Sequence, residues 1–166
     1  PIYPRGEGMG VPLKETPESL PLGVSKRIKD GIEIDIWALG TMLDVGEKLA
    51  VKLSEHNINA GVVNPRFVKP IDIDTIKASA KTVKLIVSIE DNVIKGGFGS
   101  AITEVLQKEK IACPVESIGW PDKFIDHASS VEDLRESQGL DLESICSKVL
   151  TAFQEANAVS TGFEIN

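Results

Sequence analysis

The stretch "DNVIKGGFGSAI" (91–102) begins one residue, Glu90, after the apolar run "KLIVSI" (84–89). A strand, a turn carrying Gly96, Gly97 and Gly99, and then a helix is an arrangement whose backbone N–H groups cradle phosphate in many nucleotide enzymes. The dinucleotide form of that turn requires G-x-G-x-x-G or G-x-G-x-x-A. Gly97 and Gly99 fill the first two places, but Ile102 stands at the third, where helix and strand must come close. Glu116, nineteen residues past Gly97, has the spacing of a ribose-binding carboxylate, yet one acidic residue there carries little weight. No Gly-Lys-Ser/Thr follows, which excludes a P-loop. The residues therefore favour a structural reading, in which the glycines supply φ > 0 and a close helix–sheet approach.

Other polar residues could be drawn into chemistry. Asp122, Asp126 and His127 in "GWPDKFIDHASS" (119–130) would make an acid/base set or a metal site if the segment were helical. Pro121 argues for an irregular loop, where such residues serve turns and caps. His56 stands at a predicted helix end, a position that favours a cation without any catalytic role. Arg66 and Lys69 flank Phe67-Val68 and read as interface or salt-bridge residues, with an anion site as the alternative. Cys113 and Cys146 are far apart in apolar contexts, the pattern of buried free thiols in a reducing cytoplasm. Trp37 lies in a core strand, and Trp120 precedes Pro121 where a domain or dimer contact would use it.

These residues need a frame, and the bulk numbers set its limits. The chain has 166 residues, enough for one domain that folds without staples. Lys and Arg number 18 against 25 Asp and Glu, a net charge of −7, so the surface disfavours nucleic acid as a partner. "KRIK" (26–29), the densest basic run, is followed at once by Asp30 and Glu33 and reads as a solvated hairpin. No apolar window is long enough to span a bilayer. The opening "PIYPRG" has neither Met nor a signal-peptide pattern, so the sequence reads as an excised piece of a cytoplasmic protein.

Residues 1–21 hold five of the nine prolines and three glycines, the composition of an extended linker. Beyond them, "GVSKRI" (23–28) and "IEIDIWAL" (32–39) flank Asp30-Gly31, a hairpin-turn signal. Helical spacing appears over 43–56, a short strand over 59–64, and a helix from Asp72 or Asp74 to about Lys81. A strand at 84–89, a helix from Phe98 to Lys110 and a strand at 114–118 follow. A short helix at 131–137, stopped by Gly139, precedes a last helix over 141–157. Strands alternating with helices through short loops predict an α/β domain with a largely parallel sheet. The "STGFEIN" ending reads as a frayed tail.

Five stretches together resemble one family. "YPRGEG" (3–8), "ALGTM" (38–42), "NPRFVKPID" (64–72), "SIEDNVIKGGFGSAI" (88–102) and "GWPDKFIDH" (119–127) occur in the order found at the C-terminal end of the 1-deoxy-D-xylulose-5-phosphate synthases. These are thiamine-diphosphate enzymes of the transketolase superfamily, and the resemblance runs from Tyr3 to about Ala152. Two departures are visible: the family usually has two glutamates where Glu90-Asp91 stands, and a Gly where Ala128 follows His127. Both bear on the distinction from transketolases and from the β-subunits of 2-oxo acid dehydrogenases.

The resemblance implies a three-layer domain with a mostly parallel five-stranded sheet over 22–158. It also implies that residues 1–21 end a pyrimidine-binding domain plus linker and that 159–166 form the tail. It further implies that the full-length homodimeric enzyme condenses pyruvate with glyceraldehyde 3-phosphate, releasing CO2, for isoprenoid, thiamine and pyridoxal synthesis. Thiamine diphosphate and Mg2+ would be held by other domains of the same chain and none by this one. Arg5, in the "YPRG" motif, would grip the phosphate of glyceraldehyde 3-phosphate, a task that suits a planar guanidinium. This piece alone would be inactive and would supply packing and dimer contacts. The alternatives are a split transketolase subunit, a dehydrogenase β-subunit domain, or an autonomous flavodoxin-like binding module.

Overall fold

The computed structural model describes residues 15, 16, 18–125 and 130–162, with side chains to 158. Five strands form one sheet: β1 (Lys26–Lys29), β2 (Ile34–Ala38), β3 (Ala60–Asn64), β4 (Leu85–Val93) and β5 (Val115–Trp120). Their order is β1-β3-β2-β4-β5. Three pairings are parallel, and β1 alone runs antiparallel, against β3. Five helices join and cover the sheet: α1 (Leu43–Glu55), α2 (Ile73–Thr82), α3 (Phe98–Glu109), α4 (Val131–Ser137) and α5 (Leu142–Gly162). The α/β architecture and mostly parallel sheet expected from the sequence are present.

Period-two alternation sorts the strand side chains onto two faces. Ile34, Ile36, Val62, Leu85, Val87 and Ile89 pack with Leu49 and Leu53 of α1 and with Ile145, Val149 and Phe153 of α5. On the opposite face Trp37, Val63 and Ile86 meet Ile76 of α2 and Phe98, Ile102 and Leu106 of α3. Both layers are needed because β2 is buried along its whole length. A strand covered on both sides is mostly apolar on both, and in β2 only Asp35 departs from that. Within it Asp35, 1% exposed, is matched by Arg27, whose two terminal nitrogens donate to its two oxygens at 2.9 and 2.8 Å.

The hairpin expected around Asp30-Gly31 does not form. Both edges of β2 are taken, by β3 and by β4, so β1 pairs with β3 instead. The turn passes tightly across β3: a Cβ on Gly31 would lie 1.9 Å from the Gly61 nitrogen. A glycine signal here marked close backbone approach, not strand pairing. "KRIK" is accordingly an edge strand, with Lys26 and Lys29 exposed and its register shifting between Arg27 and Lys29. Smaller differences lie at element ends: β4 extends to Val93, and α5 continues to Gly162 past the expected end at 157.

Candidate functional site

From β2 the chain crosses by α1 to β3 on one side, then by α2 to β4 on the other. The loops leaving the carboxyl ends of β2 and β4 therefore diverge, and in open α/β sheets such a divergence opens a ligand-binding crevice. Here it encloses about 610 Å3. Leu39, Gly40 and Thr41 line it from β2, Val68 and Lys69 from the segment after β3, and Glu90, Asp91 and Asn92 from β4. Gly96, Gly97, Phe98, Ser100, Ala101 and Glu104 close it from the turn and first helical turns of α3.

The donors of the glycine turn are already committed. The Phe98 and Gly99 N–H groups donate to the two oxygens of Glu90, at 2.8 and 3.0 Å. Glu90 is 2% exposed, so a fixed carboxylate of the protein itself stands at the positive end of α3. The three glycines serve separate needs. Gly96 has φ +69° with open space around it. A Cβ on Gly97 would meet the Glu90 oxygens at 2.5 and 2.6 Å, and one on Gly99 would meet the Ser117 and Ser88 hydroxyl oxygens at 2.3 and 2.4 Å. Gly96 permits the turn; Gly97 and Gly99 permit the approach.

Asp91, the neighbour of Glu90, faces outward and ties two elements together. Its oxygens accept from Trp120 Nε1 and from the Arg135 guanidinium, each at 2.7 Å, anchoring β5 and α4 beside the crevice. Trp120 thus has a partner within the domain. Asp122 pairs with Lys95 at 3.2 Å in an exposed ion pair, while Asp126 and His127 lie outside the described residues. Arg5 also lies outside them. Arg66 and Lys69 make no ion pair among the described residues. His56 is the C-cap of α1, and Trp37 is fully buried against Phe98, ring centroids 6.4 Å apart. Cys113 and Cys146 are free thiols, and burial pushes Cys113 up to about 11, away from thiolate reactivity.

Sequence reasoning missed Glu90 as the partner of the turn. The available signal was an acidic residue ending an apolar strand, eight residues before the first N–H it captures. The described residues contain no group of three or more His, Cys, Asp or Glu side chains placed to hold a metal ion. None of their helices is long and apolar enough to cross a membrane.

A five-stranded, mostly parallel sheet with one antiparallel edge, helices on both faces and a self-capped glycine turn defines the class as a three-layer α/β domain. The chain belongs to the transketolase C-terminal domain family, whose model matches residues 23–145. Among curated relatives, the 1-deoxy-D-xylulose-5-phosphate synthase of Methylacidiphilum infernorum (isolate V4) is 45% identical over 163 residues, 98% of this chain and 26% of the relative. That of Microcystis aeruginosa is 43% identical over 152 residues, covering 91% and 24% respectively. The chain spans about a quarter of the length of the curated relatives it matches. A split-gene transketolase solved as an inactive beta4 tetramer superposes with a TM-score of 0.74 at 32% identity, over 89% of this chain and 46% of that one. Transketolase from Campylobacter jejuni, at 17% identity and TM-score 0.53 over 78% and 18%, shares the fold.

Proposed function

We propose that this chain is the C-terminal domain of a 1-deoxy-D-xylulose-5-phosphate synthase. The whole enzyme then joins the two-carbon unit of pyruvate, after loss of CO2, to glyceraldehyde 3-phosphate. The observation that carries the reading is a 45% identical synthase aligned along 98% of the chain. Thiamine diphosphate supplies the carbanion chemistry of that reaction and Mg2+ holds its diphosphate. The described residues do not fit either group. The one glycine turn at a helix start has its amides filled by Glu90, and no metal-ligating cluster is present among these residues. This supports placing cofactor and metal on parts of the enzyme beyond these residues.

On this reading the domain works in the cytoplasm, contributes packing and homodimer contacts, and lends Arg5 to the substrate phosphate. The isolated chain should turn over no pyruvate with glyceraldehyde 3-phosphate, and measurable product from it alone would sink the assignment. In the full-length enzyme, Arg5→Ala should raise KM for glyceraldehyde 3-phosphate by about 10- to 100-fold, the loss of one or two charge-assisted hydrogen bonds. Arg5→Lys should recover only part, because the planar fork is gone. An unchanged KM in both variants would remove Arg5 from the substrate site.

The likeness to the split-gene transketolase favours a second reading, a subunit of a split transketolase. The two separate by donor. A synthase assembled with this domain consumes pyruvate, and a transketolase consumes a ketose phosphate.

A further inference from the structure

The crevice at the carboxyl ends of β2 and β4 takes no part in the synthase reading, and its lining sorts by what is already committed. Both oxygens of Glu90 are held by the α3 amides, and both oxygens of Asp91 by Trp120 and Arg135. Four polar side chains of the lining remain without a hydrogen bond or ion pair among the described residues: Lys69, Glu104, Thr41 and Asn92. They are one cation, one anion, one hydroxyl and one amide, set around apolar surface from Leu39, Val68 and Ala101.

This residue set discriminates between ligand classes. A phosphate or nucleotide would meet one ammonium against three carboxylates, with the helix amides already filled. A lone amine would leave Lys69 opposing it, and a lone carboxylate would leave Glu104 opposing it. A molecule carrying both charges on an apolar body is the class whose groups complement each kind of uncommitted side chain. The volume, about 610 Å3, lies inside the range of roughly 300–1,000 Å3 typical of small-molecule sites. We propose that this crevice binds a small zwitterion with an apolar body, of the α-amino-acid type, its carboxylate on Lys69 and its ammonium on Glu104. Thr41 and Asn92 offer the remaining hydrogen bonds, and the apolar floor takes the side chain.

Titration of the 15N-labelled chain with L-phenylalanine, phenethylamine and 3-phenylpropionate tests this. L-Phenylalanine should shift amides bordering the crevice, in 39–41, 68–69, 90–92 and 96–104. Each singly charged analogue should bind about fivefold more weakly, the scale of one exposed charge contact. Lys69→Met should abolish the preference over phenethylamine and Glu104→Gln the preference over 3-phenylpropionate. Both positions are exposed and unpartnered among the described residues, so the rest of each spectrum should stay unchanged. No crevice shifts with L-phenylalanine, equal binding of all three probes, or preferences untouched by both substitutions would each overturn the proposal. None of these outcomes bears on the synthase assay, so the two readings fail separately.

Discussion

Gly96 and Gly97 are adjacent in one turn yet are glycine for different reasons, and the difference is measurable. At Gly96 a side chain has room but the backbone, at φ +69°, is in the left-handed region. Gly96→Ala should therefore cost about 1 kcal/mol. At Gly97 a methyl group would press on a carboxylate that is itself pinned by two amides, and on the Val93 carbonyl oxygen at 2.6 Å. Gly97→Ala should cost about 3 kcal/mol, since neither neighbour has anywhere to go. Urea melts of the two variants rank them, and a cheaper Gly97 change would mean that Glu90 does not hold the turn. The glycine pattern was legible in the sequence as packing because Ile102 spoils the dinucleotide fingerprint. Its carboxylate partner was not, because a cap that reaches forward eight residues from the strand before the turn follows none of the usual N-cap spacings. Arg5 was legible only through resemblance: an arginine among prolines and glycines has no pattern of its own.

At the level of elements, Asp72 joins two segments far apart in sequence. Its carboxylate accepts from the Thr75 N–H and hydroxyl at 3.0 and 2.9 Å, capping α2. It also accepts from the Ser25 N–H and hydroxyl at 2.8 and 2.7 Å, fixing the approach to β1. Burial pushes its pKa upward, but the four hydrogen bonds outweigh burial and hold it below the ordinary value of 3.8. A carboxylate depressed in the folded state contributes stability that is complete above its unfolded pKa and fades as pH falls through the folded one. Asp72→Ala should cost about 1 kcal/mol at neutral pH. That difference from the parent should shrink only below pH 3.8, as thermal melts across an acid series would show. A gap constant down to pH 2 would remove the titration from the account. The cap at Asp72 was legible, as were the helices and strands, because periodicity and capping are local. Strand partnership was not. Asp30-Gly31 marked the break between two strands, but which strand lies beside β1 is decided by the crossover of α1 and by the space over Gly61.

Over the whole molecule, the sheet is graded from centre to edge. β2 is buried throughout and flanked by β3 and β4, whereas β1 is largely exposed and paired on one side. Amides of β2 should exchange with solvent only through global unfolding and those of β1 through local opening. Native-state hydrogen exchange in low denaturant would resolve the two. Equal protection would show that the Arg27–Asp35 fork binds the edge as firmly as the centre. The irregular register between Arg27 and Lys29 has a consequence of another kind. A strand edge is a template that invites a second molecule to extend the sheet, and bends and lysines are what discourage it. Here a neighbouring chain offering a strand to β1 would meet a kinked edge bearing two ammonium groups, so the sheet is closed to growth from one molecule to the next on that side.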